Sequence, residues 1–435
     1  MPNTLAEIAD AFSAQGPLSR SVAGYRVRSQ QVEMAQRVAA ALLGARTLVA
    51  EAGTGTGKTF AYLVPALLHG GKVILSTGTK TLQDQLFHRD IPALRAALGA
   101  PVTVALLKGR ANYVCHHHLD GALAEARLPS RDDVRYLGAI ERFARQSTSG
   151  DKSELASVPE TAAVWNHVTS TRENCLGQEC GYYKECFVMR ARREAMHADV
   201  VVVNHHLFFA DVMLRDTGVA ELLPACNTVI FDEAHQLPAV ASLFFGQTLS
   251  STQLLELARD ARTEQVTSAK EVTTLADACD ALERAARKLR LAAGEERDGG
   301  AGRNNVRRWQ ENDALAGELE AVEQQVHALE AQLAALAERS EGLQHCQRRA
   351  AEMIERLQAW RELPTQEHVR WVATFSQSVQ LNTTPLSVAE PFRAQLTSYP
   401  RAWIFTSATL SMGGDFSHYQ AQLGLESADT AAWES

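Results

Sequence analysis

Short apolar runs alternate with helix-forming segments along much of the chain. The residues from 200 to 203 are apolar at every position, which is typical of a strand that helices cover on both faces. Six runs have the length and β-branched content of strands: RTLVAEA, KVILST, VTVALL, DVVVVNHH, NTVIFDEAH and AWIFTSAT. The pattern therefore predicts an α/β fold built on a parallel sheet.

Two segments interrupt this alternation and are predicted to be insertions. The first contains cysteines and few strand signals, and the second is mostly helical, while strand-like runs resume after each. The prediction is an α/β domain made of residues 1–107, 200–240 and 396–435, with a cysteine-bearing domain at 108–199 and a helical domain at 241–395.

The helical insertion carries apolar residues at alternating spacings of four and three, with one step missing at Ser340. These residues are Leu315, Leu319, Val322, Val326, Leu329, Leu333, Leu336 and Leu343. A continuous helix over them would be about 44 Å long. The spacing predicts either an intramolecular helical hairpin or a dimerising coiled coil. The glycine-rich stretch 294–305 is predicted to be a loop.

Composition narrows the class of protein. With 435 residues the chain has room for two or three domains, and its net charge of −8 argues against a wholly basic nucleic-acid binder. Part of that charge lies in residues 241–362, which hold 16 Lys and Arg against 21 Asp and Glu. No apolar run has membrane-spanning length and no signal peptide is recognisable, so we expect a cytoplasmic protein without membrane contact, whose seven cysteines are reduced.

A glycine-rich turn follows the first predicted strand in the sequence EAGTGTGKTF. Glycines let main-chain N–H groups point at phosphate oxygens, and the start of the next helix favours the same anion. Lys58 would reach the β- and γ-phosphates of ATP, and the Thr59 hydroxyl would bind Mg²⁺. Ala52 occupies the position where this motif usually has its first glycine. The predicted ATP-binding residues are Ala52, Gly53, Thr54, Gly55, Thr56, Gly57, Lys58 and Thr59.

An acidic pair completes this site. Asp232 and Glu233 follow the strand NTVIF. Asp232 would hold Mg²⁺, directly or through water, and Glu233 could orient and deprotonate the attacking water. Lys58, Asp232 and Glu233 are therefore the predicted catalytic residues of an NTP-hydrolysing site.

Several motifs in order resemble one helicase family. DEAH at 232–235, TSATL at 406–410 and STGTKTLQDQL at 76–86 resemble motifs II, III and Ia of superfamily 2. VVNHHLF at 202–208 and AGTGTGKT are similar to the XPD-like iron–sulfur DNA helicases, and most of all to the bacterial DinG/YoaA branch.

The resemblance runs from about Tyr25 to the end of the chain, and it implies a RecA-like motor domain with an iron–sulfur insertion and a helical Arch insertion. It also implies an ATP-dependent helicase that moves 5′→3′ on single-stranded DNA in repair or replication. By the same resemblance, Arg28 and Gln31 would read the adenine, and the TSAT turn would couple the nucleotide site to DNA.

Four cysteines, Cys115, Cys175, Cys180 and Cys186, lie between the predicted motifs Ia and II. Their spacing alone leaves an iron–sulfur cluster and structural zinc open. The family resemblance implies that they bind a [4Fe–4S] cluster. Histidines 116–118 directly follow Cys115 and could compete with the cysteines as metal ligands. We predict that they face solvent or DNA instead. The remaining thiols, Cys226, Cys279 and Cys346, are predicted to be structural.

DNA is the partner that the resemblance implies, in single-stranded and forked forms, passing between the motor, the iron–sulfur domain and the Arch. Replication or repair proteins are further expected partners of a monomeric, nucleoid-associated bacterial enzyme. Candidate phosphate contacts are Lys108, Arg110, Arg190, Arg192 and Arg193. Tyr113, Tyr182 and Tyr183 would stack on bases or pack beside the cluster.

A superfamily 2 helicase also needs a second RecA-like domain, and no such domain fits after TSATL. We therefore expect this chain to bind ATP but to hydrolyse it poorly, because the second domain supplies an arginine finger. Two functions remain open from the sequence: the motor half of a DNA helicase, and a non-motor adaptor that binds ATP and DNA.

Overall fold

A computed structural model gives the structure of the protein. It describes residues 4–22, 24–125, 130–172, 174–216, 222–294, 302–305, 312–362, 368–375, 377–398 and 401–434. The chain divides into two compact units, which are treated separately below. The first consists of Met1–Gly109, Val188–Phe245 and Ser387–Ser435, and the second of Arg110–Phe187 and Gly246–Leu386. The segments predicted as a cysteine-bearing and a helical domain both fall largely in the second unit.

The strands and helices are numbered in chain order over the described residues. The strands are β1 (Thr47–Ala52), β2 (Val73–Thr77), β3 (Val104–Leu106), β4 (Val200–Asn204), β5 (Thr228–Asp232), β6 (Gln247–Ser250), β7 (Gly302–Asn305), β8 (His368–Thr374), β9 (Val379–Pro385), β10 (Ala402–Ser407) and β11 (Asp429–Trp433). The α-helices are α1 (Thr4–Ala11), α2 (Pro17–Ser21), α3 (Ser29–Leu43), α4 (Lys58–His69), α5 (Lys80–Gln85), α6 (Ile91–Leu98), α7 (His116–Glu125), α8 (Arg131–Gln146), α9 (Trp165–Val168), α10 (Phe187–His197), α11 (His205–Asp216), α12 (Leu237–Phe244), α13 (Ser251–Ser268), α14 (Thr273–Ala292), α15 (Asp313–Ala334), α16 (Glu341–Glu362), α17 (Ala389–Ser398) and α18 (Ser417–Leu423).

Shorter helical turns complete the description. A π-helical turn at Leu86–Asp90 joins α5 to α6. The 3₁₀ turns are Arg110–Asn112, Lys152–Glu154, Gly177–Glu179, Ala234–Gln236 and Ala337–Arg339. None of the helices in the described ranges is long and apolar enough to cross a membrane.

The first unit is built on a seven-stranded sheet in which every pairing is parallel. Its strand order is β11-β1-β10-β5-β2-β4-β3. All six strands predicted from the apolar runs are present, so the predicted α/β fold is confirmed. The strand β11 was not predicted, because its sequence DTAAW lacks an extended apolar run.

Both faces of this sheet are buried. Side chains alternate between faces along a strand, so Leu75 and Val202 belong to one apolar core, and Ile74 and Val201 belong to another on the opposite face. Helices on the two faces need continuous apolar strands beneath them, which accounts for the unbroken runs in the sequence.

The sheet brings three loops to one edge. In a parallel sheet all carboxyl ends lie on the same side, and β10 lies between β1 and β5. In the strand register, Ser407 is level with Glu51 of β1, and Thr406 is level with Asp232 of β5. The turns that follow β1, β5 and β10 therefore meet at this edge, where α/β sheets place their ligand sites.

The second unit contains a four-helix arrangement and an antiparallel sheet. Helices α13, α14, α15 and α16 pack in sequence, and α16 closes back onto α13. The sheet has the order β6-β9-β8-β7, and its pairings are antiparallel. All eight apolar residues of the predicted heptad pattern are buried in one core of this unit.

Residues 315–343 do not form one continuous helix. Helix α15 ends at Ala334, and α16 begins at Glu341 after a 3₁₀ turn. Ser340 is extended, at φ −155° and ψ 152°, and its hydroxyl accepts a hydrogen bond from the main-chain N–H of Leu343. The missing heptad step at Ser340 is therefore the place where one helix ends and the next is capped.

The predicted loop at 294–305 is also partly wrong. Gly302–Asn305 form β7, which pairs with residues 371–374 of β8. The partner strand lies some distance away in the sequence, so local glycine content could not reveal this pairing. Residues 295–301 of the predicted loop lie outside the described residues.

Candidate nucleotide site and cysteine cluster

The turn after β1 has the main-chain geometry of a phosphate-binding loop. Gly55 and Gly57 have φ values of 86° and 83°, a left-handed region that favours glycine. The Thr56 hydroxyl donates a hydrogen bond of 2.9 Å to the Gly53 carbonyl and closes the turn. Gly57 has a second constraint, because a Cβ there would overlap the Gln31 amide.

Lys58 begins α4 and lies between the two predicted catalytic acids. Its ammonium group is 3.5 Å from Asp232 Oδ1 and 3.1 Å from Glu233 Oε1. The structure therefore brings together the three residues on which the predicted NTP site depends.

Asp232 is buried at the end of β5, with 4% of its surface exposed. Burial raises the pKa of its carboxyl group, and the Lys58 charge opposes that rise. Tyr62, one turn into α4, is fully buried, and its pKa is raised well above the ordinary value by burial and by the Asp232 charge. A buried acid with one lysine counterion is an arrangement that a divalent cation would stabilise.

Glu233 is linked to the turn after β10. Ser407 Oγ lies 2.8 Å from His235 Nδ1 and 3.4 Å from Glu233 Oε2, and His235 Nδ1 lies 3.3 Å from the same carboxylate oxygen. Glu233 itself is left-handed, at φ 58°. The three side chains form a polar triangle that joins the acidic pair to the TSAT turn.

A second polar link joins the phosphate loop to the same turn. The Glu51 carboxylate accepts hydrogen bonds from the main-chain N–H groups of Leu410 and Ser411, at 2.5 and 2.6 Å, and from the Ser411 hydroxyl at 3.0 Å. Charged acceptors of this kind make strong hydrogen bonds. Glu51 therefore fixes the segment after β10 to the carboxyl end of β1.

In the second unit, four free cysteines occupy one region. Cys115 immediately precedes α7, Cys175 and Cys180 flank the 3₁₀ turn Gly177–Glu179, and Cys186 immediately precedes α10. Burial, with a smaller contribution from charge on the other three thiols, raises the pKa of Cys115 to about 12. Burial likewise raises the pKa of Cys180. The thiols are thus near enough to act on one another electrostatically.

The surroundings of the thiols are partly ordered by main-chain pairing. Val114 bridges to Thr169, and the Cys115 N–H donates to the Val168 carbonyl at 2.8 Å. Arg110 Nη1 lies 2.9 Å from Cys175 Sγ, the geometry of a donor to sulfur. Four thiols with a cationic donor suit the chemistry of a cluster held by thiolates.

Over the described ranges, however, no group of three or more His, Cys, Asp or Glu side chains is arranged to hold a metal ion. The [4Fe–4S] cluster therefore stays a prediction.

Comparison with known proteins decides the family. The model of the DEAD/DEAH box helicase family matches residues 33–113, and such a domain implies ATP and Mg²⁺ as ligands. The chain is 41% identical over 422 residues to ATP-dependent DNA helicase YoaA of Haemophilus influenzae and 42% identical over 424 residues to that of Escherichia coli. Each match covers 97% of this chain and 66% of the relative, so the chain spans slightly less than two thirds of these relatives.

The chain belongs to the DinG/YoaA-type helicases of superfamily 2. An ATP-dependent helicase DinG of Mycobacterium tuberculosis is more distant, at 36% identity over 258 residues, covering 53% of this chain and 38% of the relative. The resemblance inferred from the motifs is thus confirmed.

In this DinG/YoaA-type chain the two predicted adenine-reading residues lie at the start of α3. Arg28 is exposed at the N-cap, whereas Gln31 is 2% exposed. Gln31 Nε2 donates a 2.8 Å hydrogen bond to the Gly57 carbonyl, and its Oε1 is buried without a hydrogen-bond partner in the part of the chain that the structure describes. Gln31 therefore contacts the phosphate loop directly, and its role toward adenine stays a prediction.

The residues of this chain that were predicted to contact DNA differ in how far their side chains are exposed to solvent. Lys108 is buried and its ammonium lies 2.8 Å from Asp84, so the prediction that it contacts phosphate is wrong. Tyr113 is 4% exposed and cannot stack on a base from solvent. Tyr182 is exposed and its hydroxyl donates to Asp120. Arg193 is exposed on α10.

Sequence reasoning missed the individual contacts of His235, Ser407 and Glu51. The first two lie inside motifs that were recognised as blocks, DEAH and TSATL, and Glu51 lies next to the phosphate loop. Their contacts depend on the order of strands in the sheet, which the motifs alone do not specify.

Proposed function

We propose that this chain carries the ATP-binding motor domain of an ATP-dependent DNA helicase, which translocates 5′→3′ on single-stranded DNA and unwinds duplexes in repair or replication. The observation that carries the proposal is the convergence of Lys58, Asp232 and Glu233 at the sheet edge, with Glu233 linked to Ser407 of the TSAT turn. The names of the YoaA relatives support the same activity.

Each residue of the site has a defined task in this proposal. The Lys58 ammonium leaves the carboxylates and binds the β- and γ-phosphates of ATP, with main-chain N–H groups of residues 53–57. Thr59 and Asp232 would hold Mg²⁺, which would supply positive charge beside the phosphates. Glu233 orients water and accepts its proton. Arg28 and Gln31 face the base.

The proposal extends to the cysteines and to the setting of the enzyme. Cys115, Cys175, Cys180 and Cys186 hold a [4Fe–4S] cluster that stabilises the surrounding segment. Tyr182, Tyr183 and the arginines of α10 contact single-stranded or forked DNA. The protein acts as a monomer in the bacterial cytoplasm, in association with the nucleoid and with replication or repair proteins.

ATP hydrolysis by the intact gene product, with and without single-stranded DNA, tests the motor. We expect stimulation by single-stranded DNA, and unwinding only of forks that offer a 5′ single-stranded arm. Lys58→Ala should abolish both activities, whereas Arg37→Ala, a change at an exposed residue of α3 outside the recognised motifs, should retain both. Nucleotide binding without turnover under any of these conditions would favour an adaptor instead.

Metal content tests the cysteine assignment. Protein purified without oxygen should contain about four irons with matching sulfide, the stoichiometry of the cubane cluster. Cys175→Ser should lose iron and visible absorption. Cys226→Ser, a change at a thiol in the first unit, should lose neither. Stoichiometric zinc in colourless protein would refute the cluster.

A further inference from the structure

Glu51 is attached to both ends of the turn that follows β10. Its main chain is level with Ser407, the last residue of β10, in the parallel pairing of β1 with β10. Its carboxylate reaches further along the chain and accepts hydrogen bonds from the N–H groups of Leu410 and Ser411 and from the Ser411 hydroxyl. Two residues lie between these attachments, so a single residue of β1 fixes the whole turn.

The three hydrogen bonds require a carboxylate. Both main-chain N–H groups donate to Glu51 Oε2, and the Ser411 hydroxyl donates to Oε1. An amide side chain has one acceptor oxygen, and its NH₂ group would face a donor. Leu410 is buried and Glu51 is half-buried, so water does not readily replace a bond that is lost. A side chain without charge would therefore hold the turn less firmly.

Ser407 links this turn to the proposed catalytic acid. Its side chain is fully buried, and its hydroxyl lies 3.4 Å from Glu233 Oε2 and 2.8 Å from His235 Nδ1. Ser407 thus pairs with β1 through its main chain and contacts the segment after β5 through its side chain. A shift of the turn after β10 would move this hydroxyl relative to Glu233.

The Glu233 carboxylate depends more on Ser407 once ATP has bound. Among the described residues, its side-chain contacts are Lys58 at 3.1 Å, His235 at 3.3 Å and Ser407 at 3.4 Å. In the proposed function Lys58 moves to the phosphates, which leaves His235 and Ser407. His235 is itself hydrogen-bonded to the Ser407 hydroxyl. The position of Ser407 therefore affects both remaining contacts.

We propose that Glu51 is a positioning residue for ATP hydrolysis, which keeps the Ser407 hydroxyl at Glu233 by holding the turn after β10. This inference deepens the proposed function and rests on it for the reaction. Glu51 touches neither nucleotide nor metal ion in this role. An acid beside a phosphate loop is also a candidate ligand for Mg²⁺, but the three donors already engage both of its oxygens.

The first test compares the kinetics of Glu51 variants in the intact gene product. In Glu51→Gln we expect the kcat of ATP hydrolysis to fall at least about tenfold, because small displacements of reacting groups are costly. The KM for ATP should change less than about twofold. Glu51→Asp keeps the charge on a shorter side chain and should recover part of kcat.

Asp415→Asn is the matched control for these variants. The Asp415 carboxylate also accepts hydrogen bonds from a main-chain N–H and a hydroxyl, but both belong to Ser417 at the start of α18. Its contacts do not reach β1, so kcat should stay within about twofold of the parent. An equal loss of kcat in Asp415→Asn and Glu51→Gln would overturn the inference.

Two further variants test whether Glu51 acts through the turn. Ser411→Ala removes one of the three hydrogen bonds and should lower kcat in the same direction by a smaller factor. The double variant Glu51→Gln, Ser407→Ala should lose no more than Ser407→Ala alone, because both changes break one link. Additive losses, or full kcat in Glu51→Gln, would overturn the inference.

The dependence of hydrolysis on Mg²⁺ distinguishes positioning from metal binding. The Mg²⁺ concentration that gives half of the maximal rate should stay within about twofold of the parent in Glu51→Gln, because Glu51 holds the turn and not the ion. A rise of about tenfold or more would assign Glu51 to the metal ion and overturn the positioning role.

A readout that needs no hydrolysis separates this inference from the proposed function. Amide hydrogen exchange at residues 407–411 and 233–235 should rise in Glu51→Gln if Glu51 positions both segments. Unchanged exchange at either segment would overturn the inference, whatever the activity of the parent. Raised exchange at both segments, combined with a parent protein that does not hydrolyse ATP, would refute the proposed function alone.

Discussion

Single residues at the nucleotide site balance one another's charge before any phosphate binds. Lys58 stands between Asp232 and Glu233 at 3.5 and 3.1 Å, so each carboxylate has a counterion in a largely buried place. When ATP and a divalent cation bind, Lys58 would pair with a phosphate group in place of the carboxylates. The carboxylates would then have the cation as their counterion in place of Lys58. The site therefore changes its ion pairs on binding and leaves no charge without a counterion.

Removal of the proposed general base gives a sharp expectation. Glu233→Gln should lower the kcat of ATP hydrolysis by about 10²- to 10³-fold, because proton transfer to a carboxylate is lost. Affinity for ATP, followed by titration with a fluorescent analogue, should change less than about threefold, since the variant keeps the phosphate loop, Lys58 and Asp232. Glu390→Gln, at an exposed glutamate of α17, should change neither quantity. A Glu233→Gln variant with normal turnover would exclude Glu233 as the base.

Two glycines of the phosphate loop should differ in their tolerance of a methyl group. In Gly55→Ala no atom lies within reach of the new Cβ, so the variant has only the cost of a left-handed φ, about 1–2 kcal/mol. Gly57→Ala meets the same φ and also the Gln31 amide. Thermal unfolding without nucleotide should show the larger loss of stability for Gly57→Ala. Equal losses would mean that Gln31 moves away freely.

Among single residues, the sequence predicted those that lie in a recognisable local motif. It missed those whose role depends on contacts with residues far away in the chain. Lys58, Asp232 and Glu233 follow strands in recognisable motifs, so their convergence was foreseeable. The contacts of Glu51 with Ser411, and of His235 with Ser407, cross from one strand to another. They require knowledge that β10 lies between β1 and β5, which no single motif contains.

Among elements, the edge pairing of β3 with β4 is supported by one carboxylate. Asp199 Oδ2 accepts hydrogen bonds of 2.7 Å from both the main-chain N–H and the hydroxyl of Thr103. These bonds lower the pKa of Asp199 below its ordinary 3.8. A lowered acid pKa adds stability that is present above 3.8 and is lost as pH falls through the folded-state value.

Asp199→Asn should therefore destabilise the protein at pH 7 and matter less in acid. Because the side chain is partly solvated, we expect a loss below about 1 kcal/mol at neutral pH. Urea unfolding at pH 7 and near pH 3 should show the difference between parent and variant shrinking at the lower pH. A difference that grows in acid would contradict the assigned direction.

The helical core of the second unit should tolerate truncation poorly. Leu329 is fully buried in α15, and Leu329→Ala should cost about 2–5 kcal/mol through lost burial and a cavity. Leu291, at the end of α14, is 77% exposed, and Leu291→Ala should stay within about 0.5 kcal/mol of the parent. Chemical unfolding followed by circular dichroism measures both. Similar effects of the two changes would place Leu329 outside the core.

Element boundaries followed from the sequence where the pattern was continuous and failed where long-range pairing decided. The heptad residues from Leu315 to Leu343 are all buried, yet the helix breaks before Ser340, whose hydroxyl caps the following helix. Strands β6, β7, β8 and β9 were not predicted, because residues 241–395 were expected to be mostly helical. Strands β7 and β11 have little apolar content of their own and depend on the strands beside them.

For the molecule as a whole, net charge and proposed partner have the same sign. A chain of charge −8 can bind DNA only through local cationic groups, so the salt dependence of binding should be modest in slope. Arg193→Ala, at an exposed position of α10, should weaken single-stranded DNA binding and reduce the slope of log K against log salt by about 0.7. Arg37→Ala, at an exposed arginine of α3, should leave the slope unchanged.

The central place of β10 has a consequence for how the protein is made on the ribosome. Residues 402–407 complete the sheet between β1 and β5, yet 169 residues lie between the end of β5 and the start of β10. At bacterial elongation rates of about 5–20 residues per second, the facing edges of β1 and β5 wait about 10–30 seconds for their shared neighbour. During that time two apolar strands have open edges, so the nascent chain should be a client for chaperones that shield unpaired strands until translation passes residue 407.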